Sequence, residues 1–156
     1  LADDTIDTSG LTPHDLRALV SERLASDGTD DIQVEILSFG FKFGLPLTSN
    51  LVFDVRFLTN PYFVPDLRPR TGMEQVVRDH VLEDPGAGEL LDHLSRMLAF
   101  LVPQYKKEGK HYLTIAIGCT GGQHRSVTIA HELHHLLQAD GVRCHLRHRD
   151  VQGAQL

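Results

Sequence analysis

The sequence predicts an α/β domain with a mostly parallel or mixed central sheet flanked by helices, and three observations carry that prediction. Residues 113–148 read as strand, helix and strand, the order that makes parallel neighbours joined by a right-handed crossover. Between that first strand and its helix stands Gly118-Cys119-Thr120-Gly121-Gly122, a turn at the centre of the predicted fold. Two more apolar stretches, 32–39 and 51–57, have strand patterns and supply neighbours for the unit. If these strands are parallel, the segments after Gly40, around Asp54 and after Cys119 open onto one edge, where such sheets bind ligands.

Taken in order, Thr12 reads as a helix N-cap with Pro13 behind it, and Leu16, Leu19, Val20 and Leu24 form a stripe ending near Gly28. Residues 26–31 are polar and read as a linker. A short opening helix ahead of a linker suggests the tail of something longer. The strand at 32–39 ends in Gly40. The strand at 51–57 is interrupted by Asp54 and Arg56, either an ion pair or part of a site. Residues 60–70 hold three prolines, two aromatics and two arginines, which suits a stiff binding loop. Thr71 is placed to cap a helix that runs to about Leu82. Pro85 and two glycines then separate it from a helix over 89–107, on which Leu90, Leu91, Leu94, Leu98, Leu101 and Val102 recur at helical spacing. Pro103 is expected to kink or shorten it, and Lys106, Lys107 and Lys110 suit its carboxyl end. The central helix starts near Gln123 and continues through Ala130, Leu133, Leu136 and Leu137 to a stop at Gly141, with a basic strand over 142–148 after it. From Asp150 on there is no pattern, and residues 151–156 read as a disordered tail.

Composition narrows the function classes. With 156 residues, of which 41% are hydrophobic, one domain with a real core is expected. No apolar run reaches membrane-spanning length, and no segment reads as a signal peptide, so the expected compartment is the cytoplasm with no membrane partner. Cys119 and Cys144 are too few for a disulfide framework, which fits a reducing environment. A net charge of −6 is no general match for nucleic acid, so any phosphate site must be a local exception.

That exception is the turn at 118–122. A strand end, a glycine-containing turn and a helix start aim unpaired N–H groups and the positive end of a helix dipole at one place. Arg125 reads as the bidentate clamp on the bound anion, with Ser126 beside it in the first turn. Cys119, five residues, Arg125 and Ser126 also satisfy the C-x5-R-[ST] pattern of cysteine phosphatases, so an enzyme using Cys119 and Arg125 is the alternative. No acid to protonate the leaving group is identified beyond guesswork over Asp54 or Asp66. His131-Glu132-Leu133-His134-His135 is a literal HExxH, but a third zinc ligand would have to come from His145 or His148 without supporting spacing, and no metal is expected.

Three stretches carry a resemblance: SFGFKFGLPL (38–47), LVFDVRFLTNPYFVPDLRPRTG (51–72) and YLTIAIGCTGGQHRSV (112–127). In this order they resemble the C-terminal domain of the RapZ/YvcJ family, bacterial proteins that pair it with an N-terminal P-loop nucleotide-binding domain. The resemblance runs from about Asp7 to Asp150. It implies that residues 1–31 are a remnant and linker of a missing N-terminal domain and that 32–150 form a ligand-sensing domain. It also implies that ATP or GTP belongs to the missing part, with no cofactor here. In the family's best-studied branch this domain binds glucosamine-6-phosphate and a small RNA, presents that RNA to an RNase and oligomerises; a homo-oligomer, a phosphorylated amino sugar and those macromolecules are therefore the implied partners. Carried over by position, the ligand site comprises Asp54, Thr120, Gly121, His124 and Arg125, with Cys119, Gly122, Ser126 and Arg56 alongside. Tyr62 stands where that branch has a histidine, and Gln123 where it has a lysine. The branch's basic tail is replaced here by Val151-Gln152-Gly153-Ala154-Gln155-Leu156, which leaves Arg143, Arg147 and Arg149 as the strip able to touch RNA phosphates.

Overall fold

A computed structural model describes Thr8, Gly10, Thr12, Leu16 and residues 32–151. The chain divides into Leu1–Asp31 and Ile32–Leu156. The first helix expected from the sequence lies almost wholly outside the described residues; within them, the Leu16 N–H donates to the Thr12 carbonyl at 2.9 Å.

The second unit is built on four strands, β1 (Gln33–Gly40), β2 (Leu51–Asp54), β3 (Tyr112–Cys119) and β4 (Cys144–His148), in the order β2-β3-β1-β4. Every pairing is parallel, so the sheet is the parallel form of the two that the sequence allows. Three helices flank it: α1 (Gln75–Leu82), α2 (Pro85–Lys107) and α3 (Arg125–Ala139). Val34, Ile36, Leu113, Ile115 and Ile117 alternate along β1 and β3 and cluster with Leu91, Leu94 and Leu98 of α2 and Ile129 and Leu133 of α3. Burial of that continuous apolar layer is the main source of stability, each fully buried aliphatic side chain contributing about 1.5–3 kcal/mol before entropy is set against it.

The elements differ from the sequence reading mainly at their ends. β2 stops at Asp54, so Arg56 and Phe57 lie in the turn that follows rather than on a strand. α1 starts at Gln75 rather than beside Thr71; Thr71 and Glu74 instead form a turn ahead of it, the Thr71 N–H donating to Glu74 Oε1 at 3.2 Å. Residues 85–88 do not separate two helices but open α2. Asp84 caps it by accepting from the Gly86 N–H at 2.9 Å, and Pro85 takes the first helical position, where its missing N–H costs nothing. Pro103 does not end α2. It and Ala99, whose carbonyl loses a donor, are both exposed, so water is at hand for that carbonyl. The expected patternless tail is ordered at its start: Val151 is buried and Asp150 is bonded to β1, as described below. Residues 152–156 lie outside the described part.

Candidate functional site

Register places the carboxyl ends of the strands in a line. Phe39, Gly118 and Asp54 occupy one row across β1, β3 and β2, and Gly40 pairs with Cys119 in the next. After β1 the chain leaves toward β2, past β3, whereas after β3 it leaves toward β4, past β1. The crevice between these departures is the position where open parallel sheets bind ligands.

The 119–125 loop fills the floor of that crevice. Gly122 has φ +72, and a Cβ there would stand 2.8 Å from the Gly40 amide nitrogen and 2.9 Å from Asp150 Cβ. Only glycine lets this turn lie backbone to backbone on the end of β1. Asp150 braces the same place: its carboxylate accepts from the Gly40 N–H at 2.6 Å and from Arg149 Nη2 at 2.8 Å, while its carbonyl accepts from the Gln123 side-chain amide. The Gln123 side chain is thus turned toward the β4 end of the sheet. Cys119 is buried; its sulfur lies 3.1 Å from Ser126 Oγ and accepts from the Gly122 N–H at 3.3 Å. The Cys119 sulfur therefore joins Ser126 to the Gly122 amide and holds the turn from beneath.

The upper side of the loop is different. Thr120 is exposed, and the Gly121 N–H has no hydrogen-bond partner among the described residues. The nearest atoms to a Cβ built on Gly121 are Lys42 Cε and Nζ, both at 3.8 Å. Lys42 itself donates its backbone N–H to the Thr120 carbonyl at 3.2 Å, which brings the root of its side chain to the turn, and its ammonium lies 4.6 Å over the Phe43 ring. Lys42 is absent from the site residues expected from the sequence; its only local signal is a lysine just past a strand-ending glycine.

Arg125 is buried, 6% exposed, at the first position of α3. Its Nη1 donates to the carbonyls of Arg56 at 2.6 Å and Leu58 at 3.2 Å, and its Nη2 reaches Thr120 Oγ1 at 3.4 Å. The guanidinium so ties the segment after β2 to the glycine loop. Among the described residues it bonds no carboxylate, its Nε has no partner, and the first turn of α3 contains no acidic residue. Asp54 and Arg56 form the pair the sequence suggested: Arg56 Nε donates to both carboxylate oxygens at 3.0 and 2.9 Å and Nη2 to one at 2.6 Å, with the guanidinium over the Phe41 ring at 4.4 Å. The bonded Arg56 holds the Asp54 carboxyl below its ordinary value against the opposing effect of partial burial, and the charge of Arg125 adds to the lowering. Both members are about half exposed, so the pair contributes at most about 1 kcal/mol to the fold.

The other expected site residues fall elsewhere or are occupied. Tyr62 is exposed in the proline-rich loop, its ring 4.8 Å beneath the Arg68 guanidinium and 6.0 Å from Phe63. His124 is buried where that loop meets α3, next to Gly72, whose N–H donates to the Gln123 carbonyl at 2.8 Å. Arg147 is paired with Glu35 at 2.7 Å, Arg149 with Asp150, Gly40 and Gly44, and Arg143 is exposed. Glu35 and Asp150 lie far from these arginines in sequence, or gave no local sign of their role.

Buried His124 and partly buried His148 give the domain an acid-sensitive margin. Burial lowers the pKa of His124, against nearby carbonyls of Arg70, Arg68 and Leu67, and burial lowers that of His148, whose Nδ1 sits 2.8 Å from Ser38 Oγ. A depressed histidine is protonated more readily in the unfolded chain, so its contribution is complete above about pH 6.5 and is lost as pH falls below it. The melting temperature is expected to drop between pH 7.5 and 5.5, and His148→Asn should flatten that dependence. An unchanged slope in that variant would exclude His148 as a source.

Fold and rim together define an open, all-parallel α/β domain with cationic groups gathered at a glycine loop on the strands' carboxyl edge. Residues 32–152 match the RapZ C-terminal domain, and the chain belongs to that family. It is 51% identical over 152 residues to a nucleotide-binding protein of Syntrophotalea carbinolica, covering 97% of this chain and 53% of that protein. Nucleotide-binding proteins of Moorella thermoacetica and Streptomyces coelicolor are 49% and 47% identical over 150 residues, each match covering 96% of this chain and 50% of the relative. The chain thus spans about half the length of the curated relatives it matches. Among the described residues no helix is long and apolar enough to cross a membrane.

Proposed function

We propose that the rim formed by Lys42, Asp54, Arg56, Thr120, Gly121 and Arg125 binds a phosphorylated amino sugar, glucosamine-6-phosphate or a close relative, and that the domain acts as the ligand sensor of a RapZ-like regulator. One observation carries the reading: Arg125 is a buried cation whose hydrogen bonds go to neutral oxygens, at an uncapped helix start. A buried charge with no directly bonded carboxylate is costly, and a dianion beside Thr120 and the Gly121 amide relieves that cost. Counting Lys42, Arg56 and Arg125 against Asp54 leaves a local surplus of two positive charges in a chain whose net charge is −6. Asp54 supplies the complement to a sugar ammonium and so the discrimination against neutral hexose phosphates.

On this reading the nucleotide in the relatives' names belongs to the half of those proteins that this chain does not span. RNA contact is the lesser part of the proposal, since Arg147 and Arg149 are held in ion pairs. Nothing supports the phosphatase alternative, and the burial of Cys119 suits a brace rather than an attacking group.

Calorimetry with glucosamine-6-phosphate, glucose-6-phosphate and inorganic phosphate tests the assignment. The amino sugar is expected to bind most tightly, and Asp54→Asn should erase its advantage over glucose-6-phosphate while costing the fold about 1 kcal/mol or less. Cys119→Ser should retain binding. Equal affinity for all three ligands in the unaltered chain would contradict the role of Asp54.

A further inference from the structure

The middle of α3 carries a second constellation, two turns from the glycine loop and independent of the reading above. His131 and His135 are one helical turn apart, and their Nε2 atoms face each other at 3.3 Å with ring centroids 4.5 Å apart. The separation has chemical meaning. Two imidazole nitrogens bound to one zinc ion at about 2.0–2.1 Å, at the tetrahedral angle, lie about 3.3–3.4 Å from each other.

The third group of the motif completes the case. Glu132 Oε1 is 3.1 Å from His131 Nδ1 and 4.0 Å from Arg78 Nε. A carboxylate that accepts from Nδ1–H fixes the tautomer in which Nε2 carries a free lone pair, and this is the usual outer partner of a metal-bound histidine. His131 is partly exposed and His135 exposed, which leaves the remaining coordination positions open to water.

We propose that His131 and His135 chelate a borderline divalent cation of the zinc, nickel and copper class, with Glu132 as the positioning residue of His131. No group of three protein ligands is present among the described residues, so the site is two-coordinate from the protein and completed by solvent. Glu132 bonds the far nitrogen of His131 instead of facing the ion. The HExxH here therefore lacks both the third ligand and the free base of a zinc peptidase, and its chemistry is binding.

Titration of the 156-residue chain with zinc chloride in a non-chelating buffer tests this. One saturable site is expected, with copper binding more tightly than zinc or nickel and with no uptake of magnesium or calcium, which take oxygen ligands. Glu132→Gln should weaken zinc by about 10–100-fold, the usual effect of losing an outer carboxylate, and His131→Ala or His135→Ala by more. In the unaltered protein, substoichiometric nickel should broaden the imidazole NMR signals of His131 and His135 before those of His80, His93 and His111, a readout that no folding defect can mimic. Absence of a saturable site, undiminished zinc affinity in the double alanine variant, or first broadening at another histidine would each overturn the proposal.

Discussion

Arg125→Ala should abolish measurable phosphosugar binding and lower stability by about 2–4 kcal/mol, because it leaves the carbonyls of Arg56 and Leu58 without their buried donor. The two losses come from different sides of one guanidinium, and Arg125→Lys separates them. An ammonium keeps the charge but cannot hold two carbonyls and reach Thr120 in the planar fork that arginine offers. The lysine variant should therefore fold with a smaller deficit, about 1–2 kcal/mol, and bind at least about tenfold more weakly. Denaturant midpoints and calorimetry on the same samples check both. Undiminished affinity in a folded Arg125→Ala protein would remove Arg125 from the site.

Adjacent glycines in the loop should respond in opposite ways. Gly122→Ala places a methyl group 2.8 Å from the Gly40 nitrogen and 3.1 Å from the Phe39 carbonyl carbon, at a backbone angle that side chains rarely adopt. Left-handed strain of about 1–2 kcal/mol adds to overpacking of about 1–3 kcal/mol against main chain that has no room to move. A loss of about 2–5 kcal/mol is expected, read as a lower denaturation midpoint. Gly121→Ala meets only the flexible end of Lys42 at 3.8 Å, so its midpoint should hardly change. That methyl would occupy the space assigned to the anion, and binding should fall while the fold persists. If both variants behave alike, the division of the loop into a structural underside and a binding upper side is wrong.

The parts of this molecule that were legible in the sequence share a physical cause. The β3–turn–α3 unit has apolar periodicity that changes from two to 3.6 across a glycine cluster, and both periods are local signals. The pairing of Asp54 with Arg56 was legible because two residues of opposite charge stood two apart in an apolar stretch. The start of α2 was misplaced because a proline and two glycines resemble a loop, although Asp84 followed by Pro85 is also an N-cap and first-turn signature. What stayed hidden depends on contacts between distant segments. Nothing near Asp150 announces that its carboxylate fixes the Gly40 amide, 110 residues away. Glu35 likewise gave no sign that it would neutralise Arg147. The Gly122 amide was expected to face an anion, but a buried sulfur one turn below competes for it. A cradle inferred from glycines alone is thus a set of donors whose recipients only the tertiary packing decides.

The central claim concerns where an anion rests, and amide chemical shifts report that position residue by residue. In a nitrogen-15 NMR titration of the chain with glucosamine-6-phosphate, the largest shifts should fall on the Thr120 and Gly121 amides and on the Arg125 side chain, with Lys42 next. Saturable shifts confined to other surfaces, with residues 119–125 unmoved, would contradict the account.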